Sequence, residues 1–138
     1  MFDLHPRLAA DALPVTELRL SRLLLMNDRS FPWLILVPRR NGVTELTDLA
    51  AEDQVQLMGE ISDACRALRE VARPDKLNIG MLGNLVPQLH VHVVGRFRQD
   101  RAWPGPVWGS GPAVSYEAVS AGQFIDRIRA SMGGEHAS

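Results

Sequence analysis

At 138 residues, with 46% hydrophobic and 22% charged side chains and a formal net charge of −1, the chain has room for one domain with a real core and too little for two. That composition excludes a disordered segment, and the even charge balance leaves no footprint for nucleic acid, so no nucleic-acid partner is expected. Cys65 is the only cysteine, which rules out an intrachain disulfide and, at an apolar helical position, suits a buried inert thiol.

Along the chain, the first residues carry acidic side chains and prolines where a signal peptide needs a basic start and an apolar run. No stretch is long and apolar enough to span a membrane, so the expected location is cytoplasmic with no membrane partner. Residues 3–14 show no clear period up to Pro14, which fits a short helix or an irregular arm. Residues 16–26, TELRLSRLLLM, alternate at Leu18 and Leu20 and then run apolar, which predicts one strand. NDRS at 27–30 is a turn and FPWLILVP at 31–38 a second strand, so the two form a hairpin. The adjacent Arg39 and Arg40 that follow could grip a phosphate, although a solvated surface pair is the plainer role.

A loop with Gly42 leads to Thr47 and Asp48, candidate helix caps. Between residues 52 and 72, Val55, Met58, Ile61, Cys65, Leu68 and Val71 recur at spacings of three and four, predicting an amphipathic helix that Arg73-Pro74-Asp75 stops. Residues 76–81 read as a strand, 83–87 as a loop and 89–97 as another strand. Segment 100–112, DRAWPGPVWGSGP, is irregular: a cover for the core or a lid for a site, with Trp103 and Trp108 more suited to packing than to closing over a base. A last helix is predicted over 117–132 with Val119, Phe124, Ile128 and Met132 inward, followed by GGEHAS as a frayed tail in which His136 has no role. The fold class expected is α+β, an antiparallel sheet with one long helix packed across a face and a C-terminal helical extension.

The chemistry concentrates in QLHVHVV, residues 88–94. Strand alternation sends Leu89, Val91 and Val93 to one face and Gln88, His90 and His92 to the other. Such a row suits the wet side of a sheet, a metal site or a phosphate site. A metal needs a third or fourth protein ligand, and no Asp, Glu, His or Cys follows the pair before Asp100, so no metal is expected.

The segment resembles the histidine triad (HIT) superfamily, whose signature is His-φ-His-φ-His-φ-φ, with φ apolar. The resemblance also takes in the apolar strand ending in VPRR, the long helix, the next strand, the Gly-containing loop and WPGP, over roughly residues 18–105. It implies a HIT-like domain over 1–105, with 106–138 as an extension packed on or beside it within a single structural domain.

It further implies a nucleotide as small-molecule substrate, no cofactor, and His90 as a nucleophile that forms a nucleotidyl-histidine intermediate and yields it to water. Gln88 and His92 would support His90, and strand N–H groups around Leu89 and Val91 would meet the phosphate charge. A homodimer is likewise implied. The departures are specific. Gln88 stands at the first triad position and cannot be protonated. Trp33 stands where many members have a histidine, Asn41 where the basic strand exit often ends in one, and Leu85 where a serine is frequent. Asn27 falls where an acidic residue often holds ribose hydroxyls, and Asn84 lies in the loop that offers polar groups to phosphate; plain turn roles are open to both. The expected activity is hydrolysis or nucleotidyl transfer on a phosphoanhydride, phosphoramidate or dinucleoside polyphosphate. A nucleotide-binding module that has lost efficient turnover, or a metal-dependent enzyme, are the rival readings.

Overall fold

The computed structural model describes residues 1–136. Helix α1 (Pro6–Asp11) runs directly into strand β1 (Ala12–Glu17), followed by β2 (Ser21–Met26) and β3 (Trp33–Pro38). After a single 3-10 turn at Leu46–Asp48 come the long helix α2 (Ala51–Ala72), strands β4 (Lys76–Gly80) and β5 (Val91–Arg96), and helix α3 (Ala118–His136). The five strands form one antiparallel sheet in the order β1-β2-β3-β5-β4. The fold is α+β. Among the described residues no helix is long and apolar enough to cross a membrane.

β3 is buried at all six positions because the sheet is covered on both sides, which is why its sequence runs apolar without alternation. Beneath it, Leu23, Leu34, Leu36, Val91 and Val93 pack against Leu57, Ile61 and Leu68 of α2 and Ile128 and Met132 of α3. Above it, Leu24, Ile35, Val37 and Val94 meet Phe31, Trp33, Val107 and Leu8 of α1. The C-terminal helix therefore completes the lower core, while α1 and the irregular segment close the upper one.

The strand expected over 16–26 is instead two strands. The chain reverses between Leu18 and Ser21, where Leu18 N–H donates to the Ser21 carbonyl at 2.7 Å. Glu60, buried on α2, fixes the reversal by accepting Leu20 N–H at 2.8 Å and Ser21 N–H at 2.9 Å, with Gln56 Nε2 donating at 2.9 Å. A carboxylate forty residues away decides the turn, so local alternation ran straight through it.

The inward face of α2 also differs from expectation. Leu57, Glu60, Ile61, Ala64, Ala67 and Leu68 are buried, whereas Val55 and Met58 are 74% and 61% exposed. Two apolar stripes overlap on this helix, and the small Ala64 and Ala67 belong to the one that faces the sheet and α3. Pattern weighting by large side chains selects the other. The N-cap of the helix, Ala50, offers no side-chain cap, and Asp48 instead accepts the Glu45 and Thr44 N–H groups of the preceding turn. It ends at Arg73 in the left-handed conformation, just before Pro74.

In α3, Val119 is exposed rather than inward. The helix continues through His136, past the predicted start of the frayed tail; residues 137–138 of that tail lie outside the described residues. Arg39 and Arg40 pair with Glu17 and Asp53 on the surface.

The irregular segment is anchored by a buried ion pair. Arg96 binds Asp100 through two parallel bonds of 2.9 and 3.0 Å, donates to Asn78 Oδ1 at 2.8 Å, and lies against the rings of Phe31 and Trp103. This guanidinium and three backbone N–H groups hold the Asp100 carboxyl down to about 2.

Candidate active site

β5 runs antiparallel between β3 and β4, and its period of two sends Val91 and Val93 into the lower core and His92 and Val94 upward. His90 lies just ahead of the strand, and its ring meets that of His92 edge to face with centroids 4.9 Å apart. Both rings line a cleft of about 620 Å³, walled by α1, the turn after β2, residues 82–86 and the irregular segment. That volume suits a drug-sized or nucleotide-sized ligand.

The hydrogen bonds assign the protons. His90 Nδ1 lies 2.7 Å from the Gln88 carbonyl oxygen, which can only accept, so Nδ1 carries the proton and Nε2 keeps its lone pair. For His92 the order is reversed: Trp33 Nε1–H donates to its Nδ1 at 2.9 Å, which places the remaining proton on Nε2. Burial, and secondarily the neighbouring His90, pull the His92 pKa from 6.5 down to about 4. His92 is therefore neutral at pH 7. The pair consists of one ring with a free lone pair and one ring with an N–H to offer.

Two tryptophans seat His92. The rings of Trp33 and Trp108 lie 5.6 and 5.5 Å from its own, and Trp108 fits because Gly80 has no side chain: a Cβ there would come within 2.9 Å of the indole. The Trp108 Nε1–H is buried without a partner.

Of the residues singled out in the sequence, the structure brings His90, His92, Asn27 and Asn84 to this one cleft. Asn27 is half committed, since its Oδ1 accepts the Tyr116 N–H at 2.9 Å. Leu89 and Val91 place their side chains in the lower core, so only their backbone could meet a ligand. Gln88 does not join the row. Leu89 and His90 keep the alternation ahead of the paired strand, which begins at Val91, but the Gln88 side chain turns to the N-terminal arm. It lines a separate cavity of about 80 Å³, which also touches His90.

Sequence reasoning missed Asp28 and Arg101, and it gave the short helix allowed over 3–14, which is α1, no part in the site. The buried Asp28 accepts from Arg101 at 3.3 Å and from the Ser30 and Val114 N–H groups, while Arg101 lies over Phe31 at the rim of the cleft. Asp28 directly follows Asn27 in the turn after β2. Arg101, 73 residues away, carried no local signal. Among the described residues, no group of three His, Cys, Asp or Glu side chains is placed to share a metal ion.

The HIT domain pattern matches residues 7–99. AP-4-A phosphorylase of Mycobacterium tuberculosis is 36% identical over 83 residues, covering 56% of this chain and 42% of that protein, so the chain spans less than half the length of the curated relatives it matches. Among solved structures, a histidine triad protein of Bradyrhizobium japonicum superposes with a TM-score of 0.93 at 46% identity, covering 95% of this chain and 98% of the other. One from Marinobacter aquaeolei gives 0.94 at 43% identity, over 97% and 98%. A diadenosine triphosphate hydrolase of Plasmodium falciparum, 13% identical with a TM-score of 0.57 over 97% and 80%, shares the fold alone.

Proposed function

The chain belongs to the HIT domain family, and from that premise we propose that it hydrolyses or transfers a nucleotidyl group through a covalent intermediate on His90. The observation that carries this reading is the pair of fixed tautomers at the floor of a nucleotide-sized cleft. His90 Nε2 attacks the α-phosphorus, forming a P–N bond as the bond to the leaving group breaks. Water then attacks the same phosphorus and releases the nucleoside monophosphate. His92, held neutral, donates its Nε2–H to a phosphoryl oxygen as charge develops there. Asn27 and Asn84 supply polar contacts to the sugar and phosphate; the Leu89 N–H already donates to the Val43 carbonyl at 3.0 Å, so Leu89 brings no free donor to the phosphate site. Phosphoanhydrides, phosphoramidates and dinucleoside polyphosphates are the substrate classes this chemistry suits. The test is incubation with adenylated and guanylated members of each class, with acid quench and intact mass. A mass increase of one nucleoside monophosphate, absent in His90→Ala, is expected; turnover that survives His90→Ala would sink the assignment.

A second reading is favoured by the place of Gln88. With that side chain committed to the arm, the first triad position offers no proton to a leaving group, which suits a nucleotide-binding protein of weak turnover. Tight nucleotide binding without release of product would select it. The reading further includes a homodimer: β4 is a sheet edge with Ile79 half exposed, and α2 leaves Val55 and Met58 uncovered. Light scattering should return twice the mass of one chain.

A further inference from the structure

Two of the departures from the triad pattern converge on one segment. Gln88 replaces a histidine at the first triad position and Asn41 replaces one at the exit of the basic strand, and both side chains hold the first five residues. Gln88 Oε1 accepts the His5 N–H at 2.8 Å and its Nε2 donates to the Asp3 carbonyl at 2.9 Å. Asn41 Nδ2 donates to the Met1 carbonyl at 2.7 Å and its Oδ1 accepts the Asp3 N–H at 3.3 Å. A carboxamide presents a donor and an acceptor side by side in one plane, so it can pair with an N–H and a C=O of an extended chain as a neighbouring strand would. The two nitrogens of an imidazole diverge and cannot make that double contact.

Past the second clasp, His5 caps α1 through Nδ1, which accepts the Arg7 N–H at 3.1 Å, and Pro6 opens the helix. α1 then lays Arg7, Leu8 and Asp11 along the wall of the cleft, with Leu8 buried in the upper core. Gln88 also acts on the opposite side: its backbone carbonyl is the acceptor that orients His90. One residue thus holds both the nucleophile and the strap that walls its cleft.

We propose that Gln88 and Asn41 are the two clasps of an N-terminal strap, residues 1–11, and that the closed strap determines how tightly the cleft holds its nucleotide. Gln88 is then a positioning residue, acting through α1 and not as a triad acid. The inference rests on the nucleotide reading of the cleft, and its two halves are tested separately.

Hydrogen exchange on the ligand-free protein reads the strap without any substrate. Gln88→Ala and Asn41→Ala should each speed exchange of residues 2–9 by about tenfold or more, since each clasp loses two hydrogen bonds, and leave α2 unchanged. Titration with AMP and GMP reads the cleft. Each variant should raise Kd roughly tenfold, and the double variant less than their product, because both release the same strap. In steady-state kinetics the loss should fall on KM more than on kcat. Gln88→His should behave as Gln88→Ala in every measurement. Unchanged exchange in both single variants, or Gln88→His with the parent Kd and a higher kcat, overturns the inference. If the parent binds neither AMP nor GMP, the nucleotide reading falls and the binding half of the inference with it, while the exchange data still decide whether the clasps hold the strap.

Discussion

The two sides of one short stretch, residues 89–94, do opposite work. Leu89, Val91 and Val93 point into a core closed by α2 and α3, pack within an apolar cluster, and tolerate apolar replacements of similar shape and volume. His90 and His92 are as deeply buried, each 6% exposed, yet each makes a directed bond that fixes one proton. The lower side supplies stability through area removed from water, the upper side spends some on holding His92 neutral and both rings aimed. Mutations on the two sides should therefore separate folding from activity.

The largest effect is expected from His90→Ala, which should reduce turnover at least about a thousandfold while shifting the unfolding midpoint little, since the proposed nucleophile is removed and the apolar cores keep their side chains. Chemical denaturation beside activity assays would show it. Leu36→Ala, on the lower side, should do the reverse, costing about 2–5 kcal/mol of stability with kcat retained in whatever fraction stays folded.

Acid should expose the strain on the upper side. With the His92 pKa depressed from 6.5 to about 4, the unfolded chain takes up a proton that the folded site refuses. Stability should hold above pH 6.5 and fall as the pH drops towards 4, by up to about 3 kcal/mol. Below that, the Asp100 carboxyl, held to about 2 by Arg96, adds a second loss once the pH falls under 3.8. His92→Gln should flatten the first window and leave the second, as urea midpoints across pH would report.

Trp33→Phe keeps an aromatic ring but removes the N–H that occupies His92 Nδ1. It should lower kcat by roughly tenfold, the worth of about one hydrogen bond, because the His92 ring loses the contact that fixes its tautomer. Val55→Gln, on the uncovered stripe of α2, should change the stability of the single chain by under about 0.5 kcal/mol. It should loosen the proposed dimer instead, a difference that sedimentation would detect.

Most of the element plan was readable locally. β3 announced itself by a continuous apolar run, α2 by its three-and-four spacing and its Arg-Pro stop, and His90 and His92 by their place in an apolar stretch. The turn between β1 and β2 was not readable, because Glu60 that fixes it arrives only when α2 packs. The inward stripe of α2 was misread because the choice between overlapping stripes belongs to the sheet and α3, not to the helix.

The sequence by itself determined the α+β class, the order of elements from β3 onward, and the two histidines of the candidate site, since all of these follow from periodicity and residue chemistry within a few positions. Tertiary structure alone decided which nitrogen of each imidazole bears its proton, because Trp33 and the Gln88 carbonyl become partners only when β3 and β5 pair and residue 88 leaves the strand register. It also turned Gln88 from a member of the histidine row into the holder of the N-terminal arm. Hydrogen bonds are short and directional, so a residue's role at such a site is set by what folding brings within about 3 Å of it.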